Sequence, residues 1–257
     1  LLEKTGNNKV VIGRDGRMSG PMIRDLVVNT LTALGIDVTD LGLSTTPTVE
    51  MAVTMEKAGG GIILTASHNP KEWNALKLLN SQGEFISGED GKEVLEKAAS
   101  ESFSFVPVDK IGTIRQDDSF IEKHITAITS LPLVDVTAIK DRKFRIVIDP
   151  VNSTGALFVP ELLKALGVEE KNITVINAEV NGRFAHNPEP LPENLAELSA
   201  VVSKTGADLG IAVDPDVDRL CFVCEDGSMF GEENTLDAVA DYVLGKKKGN
   251  TVSNMSS

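Results

Sequence analysis

Cysteine is almost absent from the 257-residue sequence, and this limits the chemistry available to it. The two cysteines, Cys221 and Cys224, cannot complete a tetrahedral zinc site by themselves. They lie three positions apart in the apolar segment 220–224, which has the pattern of a strand, so their side chains should face opposite sides of a sheet. We therefore expect both cysteines to have structural roles.

The sequence also has a deficit of basic residues. It contains 25 lysine and arginine residues against 38 aspartate and glutamate residues, which gives a net charge of −13. This charge repels nucleic acid and anionic membrane surfaces, so we expect neither as a partner. An anionic substrate would be repelled as well, unless local lysine, arginine, metal ions or helix N-termini compensate.

Long apolar runs are missing too. No run reaches the length needed to span a membrane, and no basic stretch followed by an apolar one opens the chain. These two absences predict a cytoplasmic location. What is present, 41% hydrophobic and 25% charged residues, is typical of a globular protein, and the length allows two domains.

Strand and helix patterns alternate in the same order in each half of the chain. The first half has predicted strands at 9–13, 36–41, 60–66 and 75–79, and predicted helices at 21–34, 46–58 and 91–100. Ser19 is the predicted cap of the first helix, and Gly35 its predicted end. A connecting helix is predicted at 119–131.

The second half has predicted strands at 145–149, 173–178, 209–213 and 220–224, and predicted helices at 155–166 and 193–204. The β-α-β-α-β order of each half predicts consecutive mixed-sheet α/β domains built from βαβαβ units, with right-handed crossovers. We predict domains at 1–117 and 118–228, and expect 229–257 to begin an incomplete third domain.

The most informative motif is Thr-Ala-Ser-His-Asn-Pro at 65–70. It follows an apolar run and therefore presents the Ser67 hydroxyl at a strand end, where α/β sheets bind ligands. A Ser-His-Asp hydrolase is disfavoured because Thr65 and Asn69 stand where the Gly-x-Ser-x-Gly elbow needs glycine, and no histidine has a triad signal. A serine in a simple turn or helix cap is the alternative interpretation.

Three carboxylates at alternate positions, Asp214, Asp216 and Asp218, follow another predicted strand. They offer oxygen ligands to a hard cation, and Mg²⁺ suits a site that also holds phosphate. A calcium loop of EF-hand type is disfavoured, because Arg219 occupies the position of its glycine and strands flank the loop. A solvated acidic turn is disfavoured as well, since clustered carboxylates repel one another.

Basic residues complete the pattern. Arg14 and Arg17 follow the first predicted strand and could clamp an anion, and Lys77 lies in an apolar run where burial would lower its pKa and allow proton transfer. Surface arginines and a snorkelling strand-edge lysine are the alternatives. A hydroxyl, a hard-cation site and nearby basic groups are the components of metal-assisted phosphoryl transfer.

Six features of the chain, taken together, resemble the α-D-phosphohexomutase family of phosphoglucomutases and phosphomannomutases. They run in the family's order along nearly the whole chain: 11–17, 65–70, Lys77, 145–150, 187–190 and 214–219. The resemblance implies that Ser67 carries the phosphoryl group and that the three aspartates bind Mg²⁺ together with an oxygen of phosphorylated Ser67. It also implies that Lys77 is the general acid/base, that Arg17 and Arg219 support the phosphoserine region, and that His68 contacts substrate or phosphate.

The resemblance implies the interconversion of hexose 1-phosphate and hexose 6-phosphate through phosphoserine and bound glucose 1,6-bisphosphate, which is intermediate and activator. Small-molecule sugar phosphates would be the partners. We expect an N-terminal fragment, because the family's Gly-Ile-Arg-Gly-like opening, its sugar-recognition loop and its C-terminal phosphate loop are not found in the sequence. The sugar-binding residues, the preferred sugar and the oligomeric state are therefore not predicted. A non-catalytic sugar-phosphate or metal-binding module is the main alternative, and a phosphatase is a weaker one.

Overall fold

A computed structural model describes residues 2–101 and 103–252 of the chain. These residues fold into two α/β units, each built on one sheet. Within the described ranges, we find no helix with the length and apolar character that a membrane crossing requires.

The first unit contains a five-stranded sheet. Its strands are β1 (Lys9–Arg14), β2 (Asp37–Leu43), β3 (Gly60–Leu64), β4 (Leu76–Leu79) and β5 (Ile114–Gln116), and its helices are α1 (Leu2–Thr5), α2 (Gly20–Ala33), α3 (Thr46–Met55) and α4 (Gly88–Ser100). The strand order is β4-β3-β1-β2-β5, in which β4 alone runs antiparallel to its neighbour.

The second unit contains a four-stranded sheet of the same kind. Its strands are β6 (Ile146–Asp149), β7 (Ile173–Val175), β8 (Leu209–Val213) and β9 (Leu220–Cys224). The order is β7-β6-β8-β9, with β9 antiparallel to β8. The helices from the connection onward are α5 (Phe120–Thr129), α6 (Val136–Arg142), α7 (Gly155–Ala165), α8 (Ala196–Thr205) and α9 (Glu232–Lys246).

The central strands are apolar on both faces because helices cover each sheet from both sides. Val11 and Ile12 are neighbours in β1, yet they belong to separate core clusters on opposite faces. Val147 and Ile148 of β6 divide between two clusters in the same way. This two-sided burial explains why these strands read as continuous apolar runs, and the predicted α/β fold of mixed sheets is confirmed.

Several local predictions differ from the structure. β5 and α6 were not predicted, and α3 ends at Met55 rather than at residue 58, with Lys57 in a left-handed conformation. Ser19 precedes α2 but caps no amide in the described part of the chain; its hydroxyl accepts a hydrogen bond from Asn74 Nδ2 at 2.9 Å instead. Ser19 thus occupies the predicted N-cap position of α2, but without the side-chain hydrogen bond of a cap. The domain boundaries stay a prediction.

The two units meet at the carboxyl ends of their central strands. The backbone N–H of Thr46 donates to the carbonyl oxygen of Asp216 at 2.8 Å, and the N–H of Gly16 donates to Ser153 Oγ at 3.0 Å. On the connecting helix α5, His124 Nδ1 lies 3.0 Å from Thr48 Oγ1 of the first unit. Because ligands bind beyond the carboxyl ends of such strands, a site between the two units is expected.

Candidate active site

Ser67 follows β3 in a strained backbone conformation. Its φ is +51°, in the left-handed region, which costs a non-glycine residue about 1–3 kcal/mol unless its surroundings enforce it. Here they do: the Ser67 N–H donates to Thr65 Oγ1 at 2.9 Å, and the Thr65 hydroxyl donates to Asp15 Oδ2 at 2.8 Å. The start of the serine loop (residues 65–73), directly after β3, is therefore held by hydrogen bonds that lead to Asp15, the residue after β1.

Arg17 holds the rest of the serine loop. Its side chain is fully buried, and Nε donates to Asp15 Oδ2 at 2.9 Å. The other four N–H groups donate to four backbone carbonyls of the loop, those of Ser67, Asn69, Pro70 and Trp73, at 2.5–2.9 Å. All five donors are thus engaged, and none is left for a phosphate. The anion-clamp prediction is wrong for Arg17, which organises the serine loop instead.

The three predicted metal ligands lie together after β8. Asp214 and Asp216 are fully buried, and one carboxylate oxygen from each of Asp214, Asp216 and Asp218 lies within 4.8 Å of the others. Asp214 Oδ1 accepts the backbone N–H groups of Asp218 and Arg219, both at 3.1 Å, which folds the loop back on itself. Burial, followed by repulsion from Asp216 and Asp218, raises the pKa of Asp214 to about 8.

A partnerless oxygen identifies what this cluster can bind. Asp216 Oδ1 is buried and has no hydrogen-bond partner among residues 2–101 and 103–252, whereas Oδ2 accepts from Thr46 Oγ1 and Lys77 Nζ. A buried carboxylate oxygen without a partner is costly, and a cation beside it removes that cost. The carboxylate set therefore fits Mg²⁺, which takes carboxylate oxygens and leaves positions for phosphate.

Ser67 and the carboxylates come into direct contact across the two units. Ser67 Oγ donates to Asp214 Oδ2 at 3.0 Å, although the two residues are 147 positions apart. His68 Nδ1 lies 3.3 Å from the same Oγ. The hydroxyl thus lies at the edge of the carboxylate cluster, within reach of a cation bound there.

Lys77 lies on β4, and its ammonium group bridges two of the carboxylates. Nζ donates to Asp216 Oδ2 and to Asp218 Oδ2, each at 2.6 Å. Burial by itself lowers the pKa of Lys77, but the charge and hydrogen bonds of Asp216 and Asp218 outweigh it, so the pKa is raised. The prediction of a lowered pKa is therefore wrong, because it took account of burial and not of the carboxylates.

His68 and Arg219 lie on opposite units, and Glu189 is between them. Arg219 Nη1 donates to Glu189 Oε1 at 2.9 Å, and His68 Nε2 lies 4.0 Å from the same oxygen. Glu189 belongs to the segment 187–190, which the sequence identified without a role. A carboxylate between two prolines was the only sign in the sequence that Glu189 has a function. That pattern could not indicate that Glu189 would lie beside Arg219 and His68.

Thr46 was missed altogether. It lies in the Thr-Thr-Pro-Thr run at 45–48, which reads as an ordinary helix start, and the predicted strand ends carry no sign that this helix meets the aspartate loop. The structure joins Thr46 to Asp216 through both its backbone and its hydroxyl. Contacts between segments 170 positions apart leave no local trace in a sequence.

Comparisons with known proteins agree with this geometry. Two family models match the chain, described as phosphoglucomutase/phosphomannomutase alpha/beta/alpha domain I over residues 1–105 and domain II over residues 122–227. A phosphoglucomutase/phosphomannomutase of Thermococcus kodakarensis is 40% identical over 97% of this chain and 54% of its own length. A phosphoglucosamine/phosphogalactosamine mutase of Sulfurisphaera tokodaii is 34% identical over 86% of this chain and 48% of its own length.

A solved structure is similar as well. The crystal structure of a phosphoglucomutase/phosphomannomutase family protein from Burkholderia thailandensis gives a TM-score of 0.81 at 29% identity, over 95% of this chain and 52% of that one. The chain thus spans about half the length of the curated relatives it matches.

Proposed function

Since the chain belongs to the phosphoglucomutase/phosphomannomutase family, we propose that it acts in the Mg²⁺-dependent interconversion of hexose 1-phosphate and hexose 6-phosphate, an isomerase reaction. Phosphorylated Ser67 would pass its phosphoryl group to the free hydroxyl of the bound sugar phosphate. The single observation that supports this most is the 3.0 Å hydrogen bond from Ser67 Oγ to Asp214 Oδ2. It links a strand-end hydroxyl to a carboxylate cluster suited to a cation.

The transfer breaks the bond between phosphorus and Ser67 Oγ and forms one between phosphorus and the sugar oxygen. The product of this step is a hexose 1,6-bisphosphate. Added glucose 1,6-bisphosphate would serve as the activator of the whole reaction. After it reorients, its other phosphate returns to Ser67 and the isomeric monophosphate leaves. Positioning supplies most of the acceleration in reactions of this type.

We assign the cation to Asp214, Asp216 and Asp218, with Ser67 Oγ or its phosphate as a further ligand. When bound, Mg²⁺ neutralises charge on the transferred phosphoryl group. The carboxylates suit this role because they converge within 4.8 Å and one of their buried oxygens is unpaired within the described residues.

The remaining residues position groups and move protons. Arg17 holds the backbone on which the nucleophile lies, so the hydroxyl is oriented before substrate binds. We propose that Lys77 exchanges a proton with the reacting oxygens: as the ammonium paired with two carboxylates it can donate a proton, and it must first lose one before it can accept one. His68, which is exposed in part, would contact the sugar phosphate, and Arg219 would support the phosphoserine region.

Small-molecule sugar phosphates are therefore the proposed partners. The named activities of the relatives cover glucose, mannose and amino-sugar phosphates, so the sugar is left open. The cytoplasmic location and the exclusion of nucleic acid and membrane as partners stay predictions.

The test is phosphopeptide mass spectrometry of the segment that contains Ser67. The chain is incubated with glucose 1,6-bisphosphate with and without Mg²⁺, and then chased with hexose monophosphates. We expect phosphate on Ser67 that requires Mg²⁺ and that moves to the sugar in the chase. Ser67→Ala should abolish the label, and Ser130→Ala, at an exposed position, should leave it intact.

Each alternative gives a different result. Label on Ser67 that is released to water, with no effect of added sugar phosphate, would indicate a phosphatase. Mg²⁺ binding without any label on Ser67 would contradict phosphotransfer by this chain and favour a non-catalytic sugar-phosphate or metal-binding module, an alternative consistent with the engaged Lys77.

A further inference from the structure

The start of α3 in the first unit reaches the cation-binding loop of the second. Thr46, the first residue of α3, donates its backbone N–H to the Asp216 carbonyl at 2.8 Å and its hydroxyl to Asp216 Oδ2. Both residues are buried. One threonine thus restrains both the backbone and the side chain of a residue in the other unit.

The Thr46 hydroxyl, together with Lys77, determines which oxygen of Asp216 is left without a hydrogen-bond partner. Oδ2 is engaged by Thr46 and Lys77, whereas Oδ1 is buried and unpaired among the described residues. The Lys77 side chain is flexible, so without the Thr46 hydroxyl only one of the two donors on Oδ2 would remain to hold the rotation of the carboxylate. The fixed rotation leaves Oδ1 as the oxygen available to a cation.

The backbone bond matters because the aspartate loop is strained. Val217, directly after Asp216, has φ +63°, a left-handed conformation that a β-branched residue adopts only when its surroundings enforce it. The hydrogen bond from the Thr46 N–H to the Asp216 carbonyl is one such restraint, and it comes from the neighbouring unit.

We propose that Thr46 is a positioning residue of the cation site. Thr46 orients Asp216 so that Oδ1 is available to the cation, and it thereby makes formation of the site depend on docking of the first unit. This inference rests on the proposed function, because it concerns the same cation. Hydrogen-bond partners that orient metal ligands commonly change metal affinity about 10- to 100-fold when removed.

The neighbouring threonines provide matched controls. Thr45 Oγ1 accepts the Thr48 N–H at 3.1 Å and caps α3, and Thr48 Oγ1 lies 3.0 Å from His124 Nδ1. The hydroxyl of Thr45 is also buried, but its bonds stay within α3. Thr45→Val therefore disturbs the start of the same helix without removing a bond to Asp216.

The experiment measures the Kd for Mn²⁺, an oxygen-preferring substitute for Mg²⁺, by titration calorimetry on the 257-residue chain. Thr46→Val should raise the Kd about 10- to 100-fold, and Thr46→Ser, which keeps the donor, should restore it. Thr46→Ala is measured in parallel because it removes the hydroxyl without placing a methyl group against the carboxylate. Thr45→Val should lower the unfolding temperature and leave the Kd near the wild-type value.

Electron paramagnetic resonance of the bound Mn²⁺ gives a second readout. A change of ligand geometry in Thr46→Val and Thr46→Ala, absent from Thr46→Ser and Thr45→Val, supports a positioning role. An unchanged Kd in both hydroxyl-free variants, or an equal loss in Thr45→Val, overturns it. If the wild-type chain binds no Mn²⁺, the cation site of the proposed function is itself wrong, and the role of Thr46 is refuted with it.

Discussion

The two α/β units use the same frame for different chemistry. In the first, β4-β3-β1-β2 are neighbours, and in the second β9-β8-β6-β7 follow the same plan, each with one antiparallel strand beside the third parallel one. The third parallel strand leads to Ser67 in the first unit and to Asp214 in the second. Equivalent positions therefore supply a hydroxyl and a carboxylate to one site, which shows that the frame fixes location while the residue fixes chemistry.

The first strand of each unit extends the comparison. β1 is followed by Asp15 and β6 ends in Asp149, and both carboxylates are buried. Asp15 pairs with Arg17, whose charge is permanent, whereas Asp149 Oδ2 lies 3.0 Å from Nε2 of His186, whose charge depends on pH. The carboxylate at the end of the first strand is thus supported by a cation that cannot titrate in one unit and by one that can in the other.

The largest effect is expected from removing the cation of the first pair. Arg17→Met leaves the buried Asp15 carboxylate without its ion pair and four loop carbonyls without donors. Loss of one partner of a buried pair costs about 3–5 kcal/mol, so the free energy of unfolding in urea should fall by that amount. Arg17→Lys keeps the charge but not the five-donor geometry, so its free energy of unfolding should lie between those of the wild type and Arg17→Met. A loss near zero for Arg17→Met would mean that the loop does not depend on this residue.

The second effect concerns the charge that the first unit supplies to the second. Lys77→Met leaves Asp216 and Asp218 without their ammonium partner, and we expect a loss of about 2 kcal/mol in metal-free unfolding, below the buried-pair range because Lys77 is partly exposed. Saturating Mn²⁺ should stabilise this variant more than the wild type, since the ammonium charge that repels a cation at these carboxylates has been removed. Lys71→Met, an exposed lysine of the same unit, is the charge control. Equal Mn²⁺ stabilisation of all three proteins would refute this charge repulsion.

The third effect is a pH dependence of stability that we expect from His186 of the second unit and not from Arg17 of the first. Burial lowers the pKa of His186, but the hydrogen bonds to Asp149 and to the Asn187 carbonyl outweigh it, so the folded pKa is raised. Its stabilisation is therefore fully present below the unfolded pKa of about 6.5 and is lost as pH rises through the folded value. His186→Gln should cost about 1–2 kcal/mol near pH 5.5 and less near pH 9.

The measurement for His186 is the difference between wild-type and His186→Gln unfolding free energies across pH, because this difference cancels the other titrating carboxylates. Arg17→Lys serves as the comparison from the first unit, and its difference from wild type should change little over the same range. A cost of His186→Gln that grows with pH would show that the histidine stabilises the fold in its neutral form.

The sequence predicted the frame better than the connections between its parts. β8 and β9 were predicted to the residue because each is an apolar run bounded by polar residues. β5 was missed because its three residues are exposed and lie in a charged stretch. The site residues Ser67 and Asp214 could be predicted in the same way, because each follows shortly after the end of an apolar run.

What could not be predicted were partners that are distant along the chain. Lys77 looked like a lysine of lowered pKa because its local surroundings are apolar, and the carboxylates that reverse the shift lie 139 and 141 positions away. Arg17 looked like a free anion ligand for the same reason. A local pattern reports burial, but the sign of an electrostatic effect depends on which charges the fold brings together.

The smallest effect is expected from an ion pair at the rim, and it tests burial as the cause of the large one. Glu189 and Arg219 form a bond of 2.9 Å, the same length as that between Arg17 and Asp15, but their side chains are 31% and 42% exposed. Exposed pairs contribute about 0.2–1 kcal/mol, so Glu189→Gln should lower the unfolding free energy by less than about 1 kcal/mol. This small loss should shrink further in about 1 M salt, because screening acts on exposed charges, while the Arg17→Met loss should hardly change. If Glu189→Gln cost as much as Arg17→Met, bond length and charge alone would decide stability, and the contrast between buried and exposed supports would fail.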